Sequence, residues 1–196
     1  MMHHGLVEHM PYQSTFFASY LVDDWQKNAE LLADAGLKVV FTGHFHSNDV
    51  SLLTSPAGNV IHDVETGSLA QYPFAYRIME LENDHLSIDT RFVTSIPENP
   101  NLEKEYREKL EQITRRVAQS RLKGTGMPFP QETMDTLVQL ITQLNILHVG
   151  GDEKPDKEME ESIRNFAELL GDESGDMDSF QFDFPPQDNT LVIELK

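Results

Sequence analysis

The chain reads as a mixed α/β (α+β) protein. Three observations point there: a strand, helix, strand succession near the start, a set of alternating apolar runs separated by Gly, Pro or Asn, and then long stretches stepping at helical spacing. With 196 residues, of which 39% are hydrophobic and 24% charged, it can bury a real core and falls in the size range of one domain, or one domain plus an appendage.

The first residues, Met1-Met2-His3-His4-Gly5, read as the end of a strand, a histidine pair and a glycine break. Residues 5–22 read as a long loop carrying Glu8, His9, Pro11, Tyr12 and Ser14, groups suited to lining a cleft. Asp23 or Asp24 is placed to cap a helix over Trp25, Ala29, Leu32 and Ala33, which Gly36 ends. A strand over 37–41 comes next. Further runs at 50–53, 60–64, 76–81 and 86–93, with a turn at Asn83-Asp84, predict a meander of antiparallel strands. From Pro97 onward the spacing turns helical: Leu102, Tyr106, Leu110, Ile113 and Val117, then Met134, Leu137, Val138, Ile141 and Leu144, then Met159, Ile163, Phe166 and Leu170. Residues 124–128 and Gly150-Gly151 mark the breaks. A short strand at 191–195 closes the chain. The division expected is therefore 1–95 and a helical extension over 96–196. The acidic stretch 172–188 carries Phe180, Phe182 and Phe184 at alternating positions and reads as a solvated loop docking three aromatics, with a calcium site at Asp176 and Asp178 as the alternative.

The densest chemical signal is Val39-Val40-Phe41-Thr42-Gly43-His44-Phe45-His46. Extended backbone puts residues i and i+2 on one face, so His44 and His46 converge on a cation site while Phe45 turns into packing, and Gly43 lets the backbone turn beneath them. Each histidine motif sits at the C-terminal end of a strand, where open α/β sheets place their ligands. His62, His85 and His148 lie within strand-like or helical runs and read as structural or surface residues.

A strand-end His pair with Gly-His-x-His some forty residues later resembles the C-terminal half of the calcineurin-like metallophosphoesterases. The segment Thr66-Gly67-Ser68 and then residues 72–77, Tyr-Pro-Phe-Ala-Tyr-Arg, are similar to the stretch downstream of that motif in bacterial members. The resemblance covers 1–95 and implies half of an αββα sandwich with a helical appendage after it. It also implies two divalent metal ions (Mn, Fe or Zn) and hydrolysis of a phosphate mono- or diester. Position by position, His3 and His44 match ligands of one metal and His46 the ligand of the other. His4 matches a cleft-lining place, and His9 is expected to face the substrate pocket. Such a pair of metals, ~3.5–4 Å apart, activates water and clamps the attacking and leaving oxygens.

The family's Asp-x-His, Gly-Asp and Gly-Asn-His motifs lie on strands upstream of the His pair, and this sequence carries none of them there. Three histidines over two metals leave each cation short of ligands, so the polypeptide alone is expected to bind metal weakly and hydrolyse little. A missing N-terminal half would complete it, and a homo-oligomer through the exposed sheet edge is the other partner expected. The alternative is a non-catalytic interaction module built on that edge and on acidic helices. A structural zinc site on His3, His44 and His46 would need a fourth ligand such as His9.

Composition sets further bounds. With 33 acidic against 15 basic residues the formal charge is −18, which argues against a general nucleic-acid binder. Without cysteine there are no disulfides, zinc thiolates or thiol nucleophiles. No apolar run nears the ~20 residues a bilayer requires, and no signal segment opens the chain.

Overall fold

A computed structural model describes residues 1–11, 13–124, 126–169, 183 and 185–196. Among them are five helices and two small sheets: α1 (Gln13–Phe16), α2 (Trp25–Asp34), β1 (Val39–Thr42), β2 (Asp49–Thr54), β3 (Val60–Glu65), β4 (Ala75–Glu82), β5 (His85–Phe92), α3 (Leu102–Gly124), α4 (Gln131–Gly150), α5 (Lys157–Leu169) and β6 (Thr190–Glu194). The fold is therefore mixed α/β, as the alternation of periods implies. No described helix is long and apolar enough to cross a membrane.

The strands do not form one meander. The first sheet has the order β1-β3-β2, with β1 parallel and β2 antiparallel to β3, and the second has the antiparallel order β4-β5-β6. Burial on both faces explains the split. On β1 and β3, Val40 and Ile61 pack with Ala29 and Ala33 of α2 and with Leu6 and Val7. Their alternate neighbours, including Val39, Phe41 and Val64, pack with Val50 and with Leu86, Ile88 and Ile193 of the second sheet. The layers thus run α2, first sheet, second sheet, and the period-2 side-chain rule supplies both apolar faces.

Met2 N–H donates to Phe41 C=O at 2.9 Å and Gly43 N–H to His3 C=O at 3.3 Å, so the first residues run beside β1. That pairing carries His3 to the C-terminal end of β1. Residues 5–22 are not simply a loop, since they hold α1 and a 3₁₀ turn at Ala18–Tyr20. Asp24 stands at the N-terminus of α2 in the left-handed region (φ 49°) without a side-chain capping bond. Gly36, at φ 95°, ends the helix as its sequence position implies.

The helices α3 and α4 pack through Ala118, Leu122, Met134, Leu137 and Val138, and through Leu110, Ile146 and Val149, the latter group reaching Tyr72. The last strand, β6, lies beside β5, and Ile193 seals the inter-sheet core. Tyr12, Leu170, and Phe180, Phe182, Phe184, Asp176 and Asp178 of the acidic stretch lie outside the described residues.

Beyond α4 the backbone closes onto the first sheet. Asp188 accepts from Val50 N–H at 2.7 Å and from Asp152 N–H at 2.6 Å, while Asp152 accepts from Asp188 N–H at 2.9 Å. At Gly151 (φ 75°) an added Cβ would stand 2.2 Å from Asn48 O and 2.9 Å from Asp188 Cβ. Gly151→Ala is expected to lower stability by roughly 2 kcal/mol or more, from overpacking and a left-handed backbone together. Gly150→Ala, with nothing within 4 Å of its new methyl group, should be near neutral. Urea midpoints of the two variants against wild type check this contrast.

Candidate functional site

Four imidazoles gather at the C-terminal end of β1. His3 Nε2 and His44 Nδ1 face each other at 2.6 Å. The His4 ring stacks on His44 with centroids 4.6 Å apart and planes at 18°, and stands edge-on to His3 at 5.2 Å. Tyr20 presses edge-on against His44 at 4.4 Å. Partial burial, then the nearby His3, His4 and His46, lowers the His44 pKa below the usual imidazole value and favours its neutral form. A neutral ring keeps a lone pair for a cation.

The strand-alternation argument places His46 by a route that the backbone does not take. Strand β1 ends at Thr42, and His46 is itself in the left-handed region at φ 64° and exposed. The sharp turn thus falls at His46, and Gly43 has no positive φ. Phe45 does turn into packing, against Phe17, Tyr20 and His148.

His9 lies away from the surface. It is 1% exposed, its Nδ1 is hydrogen-bonded to Asp49 Oδ1, and its Nε2 lies 3.3 Å from Asp63 Oδ2. The ring is thereby committed below the rim, so it cannot serve the rim histidines as a fourth ligand. The backbone of residues 6–9 brings it there: Leu6 and Val7 N–H donate to Asp63 Oδ2 at 2.6 and 3.1 Å, and His9 N–H donates to Gln13 Oε1 at 2.6 Å. Thr42 Oγ1 donates to the other Asp63 oxygen at 2.6 Å. Burial alone would lower the His9 pKa, but the Asp63 and Asp49 carboxylates outweigh it and raise it well above the usual imidazole value. Asp63, which burial alone would raise, is held low by His9, Thr42 and the Leu6 N–H.

Around this pair lies a buried layer of titratable groups. Asp49 and Glu65 are direct partners across the β2–β3 ladder, and both are 1% exposed. His148, in the last turn of α4, is equally buried and its Nδ1 bonds Glu153 Oε1 at 2.6 Å. Arg77 donates to the main-chain carbonyls of Glu65 at 2.8 Å and Asp188 at 2.6 Å. Burial pushes the Glu65 carboxyl up to about 7 against the pull of His9 and His148. Sequence reading does not find these residues: His148 reads as structural or surface, Asp63 beside Val64 has the look of a solvent-facing strand position, and Glu65 reads as the start of a polar connection.

No family model matches this chain. No curated protein matches it either.

Asp63→Ala would strand two backbone N–H groups, a hydroxyl and a charged imidazole, and is expected to cost roughly 3–5 kcal/mol. Because the folded Asp63 pKa lies below its ordinary value of 3.8, the unfolded chain binds more protons between the two. Its contribution is complete above pH 3.8 and is lost as pH falls through the depressed folded value. Urea midpoints measured down the acid limb should therefore fall more steeply for wild type than for Asp63→Asn, and parallel curves would show that Asp63 is not the source.

Proposed function

We propose that His3, His44 and His46 form part of the dinuclear metal centre of a calcineurin-like metallophosphoesterase that hydrolyses phosphate mono- or diesters. The observation that carries this reading is the 2.6 Å approach of His3 Nε2 to His44 Nδ1, from segments remote in sequence, at the open end of parallel-paired backbone. Nitrogens facing at this distance share a proton, which a cation would displace as the rings part, and burial with the neighbouring imidazoles keeps His44 neutral, so the donors fit a divalent ion with a preference for imidazole, such as Zn or Fe. When bound, two such ions would supply an activated water and a clamp for the phosphoryl oxygens.

The chain's own groups then have definite tasks. His3 and His44 hold one ion and His46 reaches toward the other. His4 braces His44 and lines the approach to it. Tyr20 and Phe45 hold the motif's backbone against the layer below. The order helix, sheet, sheet is compatible with one side of an αββα sandwich. Asp49, Asp63 and Glu65 are engaged or enclosed beneath the rim and are not available as its carboxylate ligands, so the reading requires other carboxylates to complete the centre.

A second reading, a non-catalytic interaction module, draws on the outer face of the second sheet. There Tyr76, Ile78 and Val192 are 42%, 46% and 62% exposed and share one side of β4-β5-β6 through the register.

Two measurements decide between them. Titration of the chain with Mn²⁺ or Zn²⁺ should show uptake that His44→Ala weakens by roughly tenfold or more. The product of the reading frame extended upstream of the Met1 codon should hydrolyse bis-(p-nitrophenyl) phosphate, with a loss of about 100-fold or more in His44→Ala. Equal metal content and equal hydrolysis in wild type and variant would remove the basis of the enzyme reading and favour the module.

A further inference from the structure

We propose that Asp49, His148 and Glu153 form a second, buried site for one divalent transition-metal ion, separate from the histidine rim, that fastens α4 and the segment after it to the first sheet. These residues come from β2, the last turn of α4 and the connection beyond it, and are 1%, 1% and 4% exposed. One ligand-type atom of each lies within 4.8 Å of the others, and His148 Nδ1 stands 3.7 Å from Asp49 Oδ2.

A second observation points to a cation in their midst. Glu65 faces Asp49 across the ladder and is 1% exposed, yet its Oε1 has no hydrogen-bond partner among the described residues and its Oε2 meets His9 Nε2 at 3.8 Å. Asp49 Oδ2 and Glu153 Oε2 are likewise buried without a hydrogen bond among the described residues. An unsatisfied buried carboxylate oxygen is costly, and here three occur together.

Carboxyls outnumber positive groups here: among the described residues Asp49, Asp63, Glu65, Glu153 and Asp188 are buried near Arg77, His9 and His148, and burial raises Glu65 to about 7 and Asp188 to about 8, a cost that a cation nearby would lower. The donor set of one imidazole and two or three carboxylates suits Mn, Fe or Zn better than Ca or Mg, which favour all-oxygen shells. Uptake would displace the proton now shared by His148 Nδ1 and Glu153 Oε1, so that proton is released to solvent. His9, bonded to Asp49 Oδ1 and resting on Asp63, would orient Asp49 as an outer partner.

The test removes the rim first. In the full chain carrying His3→Ala and His44→Ala, stripped with chelator and dialysed, one equivalent of Mn²⁺ or Zn²⁺ should still bind by elemental analysis. Saturating metal should raise the melting midpoint by roughly 5 °C or more. Adding Glu153→Gln should abolish both effects. A folded rim variant that binds no metal, or retention of the equivalent after Glu153→Gln, overturns the proposal. Should Glu153→Gln not fold, Mn²⁺ anomalous scattering from crystals of the rim variant decides: a peak among Asp49, His148 and Glu153 supports the site, and its absence overturns it. Since His3 and His44 are absent throughout, a negative result leaves the phosphoesterase reading standing, and failure of that reading leaves this site standing.

Discussion

The buried carboxylate of Asp63 is the interaction on which the rest of the arrangement depends. It accepts two successive backbone N–H groups, of Leu6 and Val7, and a hydroxyl from Thr42, with the His9 ring beside it. One side chain from the middle strand of a three-stranded sheet thereby holds the whole N-terminal segment against that sheet. The backbone pairing of Met2 and His3 with β1 extends the same attachment, and the histidines at the rim inherit their mutual positions from it. Charge-assisted hydrogen bonds of this kind are strong because the carboxylate is desolvated and fully engaged.

That attachment gives the first sheet an unusual division of labour. Along β3, Ile61 supplies apolar contact to α2, while Asp63 and Glu65 on the same side turn the far end of the strand polar. The opposite side, with Val64, stays apolar against the second sheet. A single strand thus passes from core to electrostatics within six residues, and the polar end lies directly below the rim imidazoles. Two tiers of titratable groups result. The upper is open to solvent and the lower is closed over by His148 and the segment containing Gly151 and Asp152.

Much of the fold is legible in the sequence because it rests on local rules. Helix α2, its termination at Gly36, the Asn83-Asp84 turn with both residues at positive φ, and the three long helices arise from spacing and turn chemistry. The grouping of strands is not, since β1 pairs with β3 across an intervening hairpin partner and β6 arrives from the far end of the chain. At the candidate site, His3, His4, His44 and His46 stand out as paired imidazoles beside strand ends, although a left-handed turn, and not strand alternation, is what places His46. The lower tier is hidden for a physical reason. An acid alternating with valines in a strand has the same pattern whether it faces water or a buried polar layer, and only tertiary closure by α4 separates the two cases.

The pairing of β6 with β5 has a consequence for how the molecule comes into being. Ile193 is 2% exposed and completes the core between the sheets, yet it is synthesised after all five helices. Emerging from the ribosome, the earlier strands must wait with an open seam until those helices have been translated. The closing contact spans a long stretch of chain and forms late, with β5 offering an unpaired edge in the interval. Nascent chains at that stage are the ones most exposed to strand capture by neighbours, and the preponderance of acidic residues keeps such neighbours apart.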